Sequence, residues 1–200
     1  MTLRVLGRKA SINVRKVLWT CAELDLHIEH VETDAKLLAH NPNAMVPVLQ
    51  DGDFVLWESN AICRYLAASQ PRSTLLPEDP RAHALVEQWM DWQAADLNMS
   101  WRYAFLALAR QSAAHADPVA IAASVESWNR HMRILDEHFV HGGQFITGEF
   151  FTLADVVLGL ATHRWLHTPM ERPPLDAVHG YYQRLSVRPA FRVHIDPGVP

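Results

Sequence analysis

Residues 41–67 read NPNAMVPVLQDGDFVLWESNAICRYLA, and the fold turns on how Pro47 is understood. Val46, Val48 and Leu49 open a buried, β-rich run, yet Pro47 stands among them with no N–H to give to a ladder. A proline at such a place marks an edge strand, a bulge or a cis X–Pro bond, and the local pattern leaves all three open. The triplet Asp51-Gly52-Asp53 then joins VPVLQ to FVLWE as a tight turn. SNAICRYLAASQ, residues 59–70, reads as a helix with Ser59 at its N-cap.

On the N-terminal side, LRVLG (3–7) is a strand. INVRKVLWTCAELDL (12–26) sets Val14, Val17, Leu18, Cys21 and Leu24 at helical spacing. HIEHVET (27–33) alternates Ile28 and Val31 with polar residues, the period of a second strand. The order is therefore β-α-β, a connection, a β-hairpin and a helix. QPRSTLLPEDPRA (70–82) carries prolines 71, 77 and 80 without periodicity and reads as a linker. Beyond it strand signals vanish, and residues 84–111, 118–140, 153–168 and 175–187 all read as helices. The expected organisation is an α+β unit over 1–70, a linker over 71–80 and an all-α unit over 81–200.

Composition narrows the function. Apolar residues make up 49% and charged residues 20% of the 200, the balance of an ordinary globular protein with a real core. A formal charge of −4 argues against nonspecific nucleic-acid or anionic-membrane binding, both of which want a basic face. No segment approaches the run of about 20 apolar residues that spans a bilayer. MTLRVLGRKASINV has no long apolar stretch after its first charge, so no secretory signal is expected. Cys21 and Cys63 are the only cysteines, which suits a reducing cytoplasm and leaves no disulfide framework.

Four motifs in order, SINVRKVLW (11–19), NPNAMVPVL (41–49), DGDFVLWESNAICRYLA (51–67) and GEFFTLADVVLG (148–159), resemble the cytosolic glutathione transferases. Bacterial theta-like and nu-like members are the most similar in kind. The resemblance covers nearly the whole chain. It implies a thioredoxin-like N-terminal domain of β-α-β-α-β-β-α order and an all-helical C-terminal domain, usually in a homodimer. It also gives Pro47 a reason: a cis Val46–Pro47 bond leaves the Val46 backbone N–H and C=O aimed at the cysteinyl residue of glutathione.

The remaining site residues follow from chemistry and from the resemblance together. Glu58 offers a negative charge to the γ-glutamyl ammonium. Ser59, at a helix start, offers a hydroxyl and free N–H groups to the γ-glutamyl carboxylate. Glutathione must react as a thiolate, and a free thiol titrates at about 8.5, so a neutral-pH enzyme has to favour the anion. By resemblance Ser11 falls at the hydroxyl position of Ser- or Thr-type members and Asn13 at the amide position of nu-like ones; the alternative is that one merely caps the helix. Ser11 is taken as chief thiolate donor and Asn13 as helper.

The stretch TDAKLLAH (33–40) is short for the family, so Lys36 or His40 is expected to meet the glycine carboxylate. Ala44 and Met45 stand where Gly and a basic residue are common. Trp89, Trp92, Asp96, Met99 and Tyr103 share one helical face, from which relatives aim an acid (here Asp96) at the γ-glutamyl ammonium. Trp101, Tyr103 and Phe105 are candidates to line the pocket for an apolar electrophile.

No C-x-x-C occurs at the first helix, so thioredoxin-type dithiol chemistry is not expected, and Cys21 and Cys63 fall on apolar helical faces. Thr152 and Asp155 form a capping box. His163 and His167, spaced i,i+4, lack a third ligand, so no metal is expected. The function expected is conjugation of the glutathione thiolate to small, largely apolar electrophiles, with glutathione as co-substrate and no cofactor. The alternatives are a glutathione-dependent disulfide reductase or peroxidase, or a non-catalytic binding protein on the same fold.

Overall fold

The computed structural model describes residues 3–33, 40–70 and 73–195. Four short strands build one mixed sheet: β1 (Leu3–Leu6), β2 (Ile28–Val31), β3 (Val48–Asp51) and β4 (Phe54–Trp57), in the order β2-β1-β3-β4. β1 pairs parallel with β2 and antiparallel with β3, and β3 with β4 antiparallel. Val5, Val48 and Leu49 are fully buried. The β3–β4 hairpin closes at Gly52, whose φ of 58° is the left-handed conformation that glycine supplies without steric cost.

Val46–Pro47 is cis, as the 41–49 motif implied. The register sets Leu6 opposite Val48 and Val48 opposite Trp57. The chain just after β1, just before β3 and just after β4 therefore meets at one edge of the sheet. Gly7 lies at that edge with φ 144°, and a Cβ there would stand 2.6 Å from a Val14 methyl and 2.8 Å from Val46 Cβ. Only a glycine lets the first helix and the Val46 turn close this tightly.

Helix α1 (Ile12–Glu23) buries the predicted Val14, Val17, Leu18 and Cys21 against the sheet. It also buries Arg15, Lys16, Trp19 and Thr20, because its opposite face meets the helical half. Trp19 is the centre of that contact, with its ring 5.6 Å from Phe151 and 5.2 Å from Phe191. On the neighbouring helix a Cβ at position 159 would come within 3.0 Å of the Trp19 ring, so the glycine admits the indole. Arg188 closes the seam by pairing with Glu23.

After α2 (Ser59–Ala68), the helical half runs α3 (Pro80–Trp92), α4 (Asn98–Leu108), α5 (Pro118–Val140), α6 (Leu153–His167), α7 (Asp176–Ser186) and α8 (Pro189–His194). The linker reading extended one residue too far. Pro80 is the first helical residue of α3, with the Asp79 carboxylate accepting the N–H groups of Arg81 and Ala82. Proline is well suited to that position, whose N–H would have no helical partner anyway. The long helix expected over 84–111 is interrupted by a π-helical turn, Gln93–Leu97. Among the described residues no helix is long and apolar enough to cross a membrane. The helix implied between β2 and β3 falls at 34–39, outside the described residues, as does Lys36.

Candidate active site

Ser11 is the N-cap residue of α1, yet its hydroxyl makes no capping bond. Neither that hydroxyl nor the Asn13 amide bonds to the described residues. The same holds for the backbone N–H and C=O of Val46. The loop before Pro47 is fixed by Asn41, which is 3% exposed. Its side chain donates to Met45 O at 2.9 Å and accepts the Asn43 N–H at 2.9 Å. Ala44 is held at φ 53°, left-handed backbone in which glycine is cheaper. Ala44→Gly is therefore expected to raise the unfolding free energy by about 0.5–1 kcal/mol, the relief of the left-handed Cβ being larger than the added freedom of the unfolded chain. The denaturant midpoint should rise at constant m-value; a lower midpoint would mean that the Ala44 methyl makes packing contacts worth more than the strain.

The turn from β4 into α2 departs from the sequence reading by one residue. Glu58, not Ser59, occupies the N-cap, and Ser59 is the first helical residue. Glu58 lies at φ 73°, ψ 111°, a conformation that costs a non-glycine residue on the order of 1–3 kcal/mol. Its carboxylate is exposed and makes no capping bond. Ser59 is 6% exposed, and its hydroxyl bonds to no described residue. Strained backbone of this kind persists only where the surrounding fold holds it, and it is common at functional sites.

Across from this edge a cleft of about 450 Å³ opens between the two halves. Ile12, Asn13, Met45, Trp101, Phe105 and Arg164 are among the residues that line it. That volume is within the range of small-molecule sites. Of the three aromatic residues expected to line a pocket, Trp101 and Phe105 line this cleft. Tyr103 does not: its ring packs on His115 at 4.9 Å and its hydroxyl accepts the Asp117 N–H. Asp96 and Met99 are exposed, and Asp96 lines a different surface groove with Arg130 and His131. The physical reason is the π turn. It holds an extra residue per turn, so the face carrying Trp89 and Trp92 is not continued by Asp96 and Tyr103. His40, half-buried, is not among the cleft residues.

The cleft floor is a polar chain that sequence reasoning missed. Lys16 is 2% exposed, and its Nζ donates to Asn60 Oδ1 at 3.2 Å and Gln93 Oε1 at 3.0 Å. Gln93 donates onward to Asn98 Oδ1 at 2.8 Å, which also accepts the Trp101 indole N–H at 3.1 Å. Burial, with Arg164 and Arg64 adding to it, pushes Lys16 down to about 8; Cys63 and Glu58 pull the other way. Arg164 is pushed down to about 9, first by burial and then by Arg15 and Arg110. Both values stay above neutral pH, so Lys16 and Arg164 remain cations there and the cleft lining is positive.

Cys21 and Cys63 are free, buried thiols pushed up by burial to about 12 and about 11. Neither is a nucleophile at neutral pH. His163 and His167 stack at 4.1 Å, with His163 Nδ1 on the Tyr182 hydroxyl and His167 Nδ1 on the His163 carbonyl. They are packing residues.

A thioredoxin-like sheet with a cis-proline before β3, set across a cleft from a helical half, defines the class of fold. Comparison gives the family. Residues 1–68 match the family model described as "Glutathione S-transferase, N-terminal domain". Glutathione S-transferase GstB of Escherichia coli K12 is 35% identical over 196 residues, covering 93% of this chain and 94% of GstB. The crystal structure of the theta class glutathione S-transferase of Xanthomonas axonopodis pv. citri, with glutathione bound, superposes at a TM-score of 0.89. It shares 36% identity, and 97% of each chain is covered. Glutathione S-transferase 3 of Zea mays is 29% identical over 95% of this chain and 91% of its own. The chain belongs to the glutathione S-transferase family, and it is a transferase.

Proposed function

We propose that this transferase binds glutathione along the edge formed by Ser11, Val46, Pro47, Glu58 and Ser59 and conjugates its thiolate to small, largely apolar electrophiles held in the cleft. One observation carries the reading. The Ser11 hydroxyl, the Asn13 amide, both Val46 backbone groups and the Ser59 hydroxyl are all unbonded to the described residues, and all lie at or beside one sheet edge. Ser11, Asn13 and Val46 are only partly buried, so these groups are open to a polar ligand that would replace solvent on them. The glutathione bound to the Xanthomonas relative supports the same choice of ligand.

In this reading Val46 pairs with the cysteinyl backbone in the manner of an added strand. Ser59 and the first N–H groups of α2 take the γ-glutamyl carboxylate, and Glu58 faces the ammonium. The Ser11 hydroxyl donates a hydrogen bond to the thiolate sulfur, with Asn13 assisting, and the thiol proton passes to solvent. The thiolate forms a C–S bond to the electrophilic carbon, and the leaving group departs with its bonding pair. Glutathione is co-substrate, with no cofactor, and the enzyme acts as a cytoplasmic homodimer.

Titration calorimetry with glutathione, followed by a steady-state assay with 1-chloro-2,4-dinitrobenzene, tests the reading; absence of both binding and turnover would overturn it. Ser59→Ala is expected to raise the glutathione KM by about three- to thirtyfold with kcat little changed, because it removes ground-state binding. A variant with unaltered KM and reduced kcat would take Ser59 out of that role.

A further inference from the structure

Arg164, near the end of α6, is the least satisfied charge in the cleft. It is 4% exposed, and its guanidinium lies 4.5 Å from the Trp101 ring centroid and 4.1 Å from that of Phe105. Its Nε has no hydrogen-bond partner, and no carboxylate pairs with it among the described residues. Its charged neighbours, Arg15 and Arg110, are also cations. A buried guanidinium is almost always paired, because burying a charge without a partner is costly. The two aromatic faces offset part of that cost but leave the planar fork of donors unused.

Among the described residues, those lining the cleft include Lys16, Arg102 and Arg164 but no Asp or Glu. Lys16 is already committed to Asn60 and Gln93, and Arg102 is exposed to solvent. Arg164 therefore holds the unspent donors. The cleft residues do not include Val46, Pro47, Glu58 or Ser59, so Arg164 serves the space beyond the peptide edge. Ile12, Met45 and Leu106 give that space apolar walls.

We propose that Arg164 is a specificity-determining residue that receives an anionic group, a carboxylate or sulfonate, on the second substrate, so that the preferred electrophiles are apolar or aromatic compounds carrying a negative charge. This rests on the glutathione reading above and deepens it. The thiolate attacks the electrophilic carbon and the halide leaves, while the substrate's own anion stays on Arg164 and takes no part in bond exchange.

The test compares 4-chloro-3,5-dinitrobenzoate with its carboxamide, each kcat/KM divided by the rate of free glutathione thiolate with the same arene. Wild type should favour the carboxylate about tenfold to hundredfold, the range of one charge-assisted contact. Arg164→Gln should bring that preference close to unity through the carboxylate alone, with the carboxamide within about threefold and glutathione affinity unchanged. Arg164→Lys should retain part of the preference. A wild type that treats both arenes alike overturns the proposal. So does an Arg164→Gln variant that slows both equally, or one that loses glutathione affinity. Should that variant not fold, the wild-type ratio decides. Should neither arene react, the transferase reading has failed on its own account. Calorimetry of unreactive 3,5-dinitrobenzoate against 3,5-dinitrobenzamide on wild-type protein then decides: tenfold tighter carboxylate binding supports the subsite, and equal binding overturns it.

Discussion

Ser11→Ala is expected to slow conjugation about tenfold to hundredfold near neutral pH while leaving glutathione affinity nearly intact. The hydroxyl sits at the N-cap of α1 without capping it, so its donor is available to a sulfur bound at the sheet edge. A hydrogen bond to a charged acceptor is worth about 1.5–3 kcal/mol, which sets the size of the loss. The mechanism is a thiol pKa raised in the complex, because the donor favours the anion over the thiol. The rate should therefore recover in part as pH rises. Thiolate absorbance of the complex against pH, for wild type, Ser11→Ala and Asn13→Ala, reads this directly. Asn13 lines the cleft itself, so the comparison is a fair contest. If only the asparagine variant shifts, Asn13 is the chief donor; if wild type ionises like free glutathione, thiolate activation is absent.

Asp155→Ala should damage the fold more than any site substitution named here, by about 3–5 kcal/mol at neutral pH. The carboxylate is fully buried at the start of α6. It accepts the Ile146 N–H at 2.9 Å, the Thr152 N–H at 2.8 Å, the Thr152 hydroxyl at 3.2 Å and the Tyr181 hydroxyl at 3.2 Å. Removing it strands those donors where water does not reach. Burial pushes Asp155 up from 3.8 to about 6, against the pull of its hydrogen bonds. The folded value lies above the unfolded one, so the stabilisation from holding the proton is complete below pH 3.8 and lost as pH rises through about 6. That change is worth about 3 kcal/mol. The alanine variant lacks it, so the gap between the two proteins should be wider at pH 4.5 than at pH 7. Denaturant unfolding at both values measures this. A loss below about 1 kcal/mol at pH 7 would mean that the donors find other partners.

Features of short range were legible before the fold was known. Helix α5 spans Pro118–Val140, the same bounds as the sequence reading, because an Asp-Pro start leaves little freedom: the Asp117 carboxylate accepts the Val119 N–H and Pro118 fits the first turn. The Asp51–Asp53 turn, the capping box at Thr152 and the apolar face of α1 were readable for the same reason. Each is decided by residues within a turn or two of one another. The linker ended late because a proline that starts a helix and one that breaks it look alike until the cap is seen.

The sequence by itself determined the four strands, from local pattern and turn chemistry, and its resemblance to a known family gave the cis Val46–Pro47 bond and the family itself. Tertiary structure alone decided the chemistry of the cleft. Nothing in the local pattern marks Lys16 or Arg164; they are buried because helices distant in the chain close over them, as the Lys16–Gln93 bond across 77 residues shows. A single π turn moved Asp96 and Tyr103 away from the site, and no hydrophobic period announces such a turn. Burial of a charge depends on what packs against it from elsewhere, and that is a property of the assembled chain.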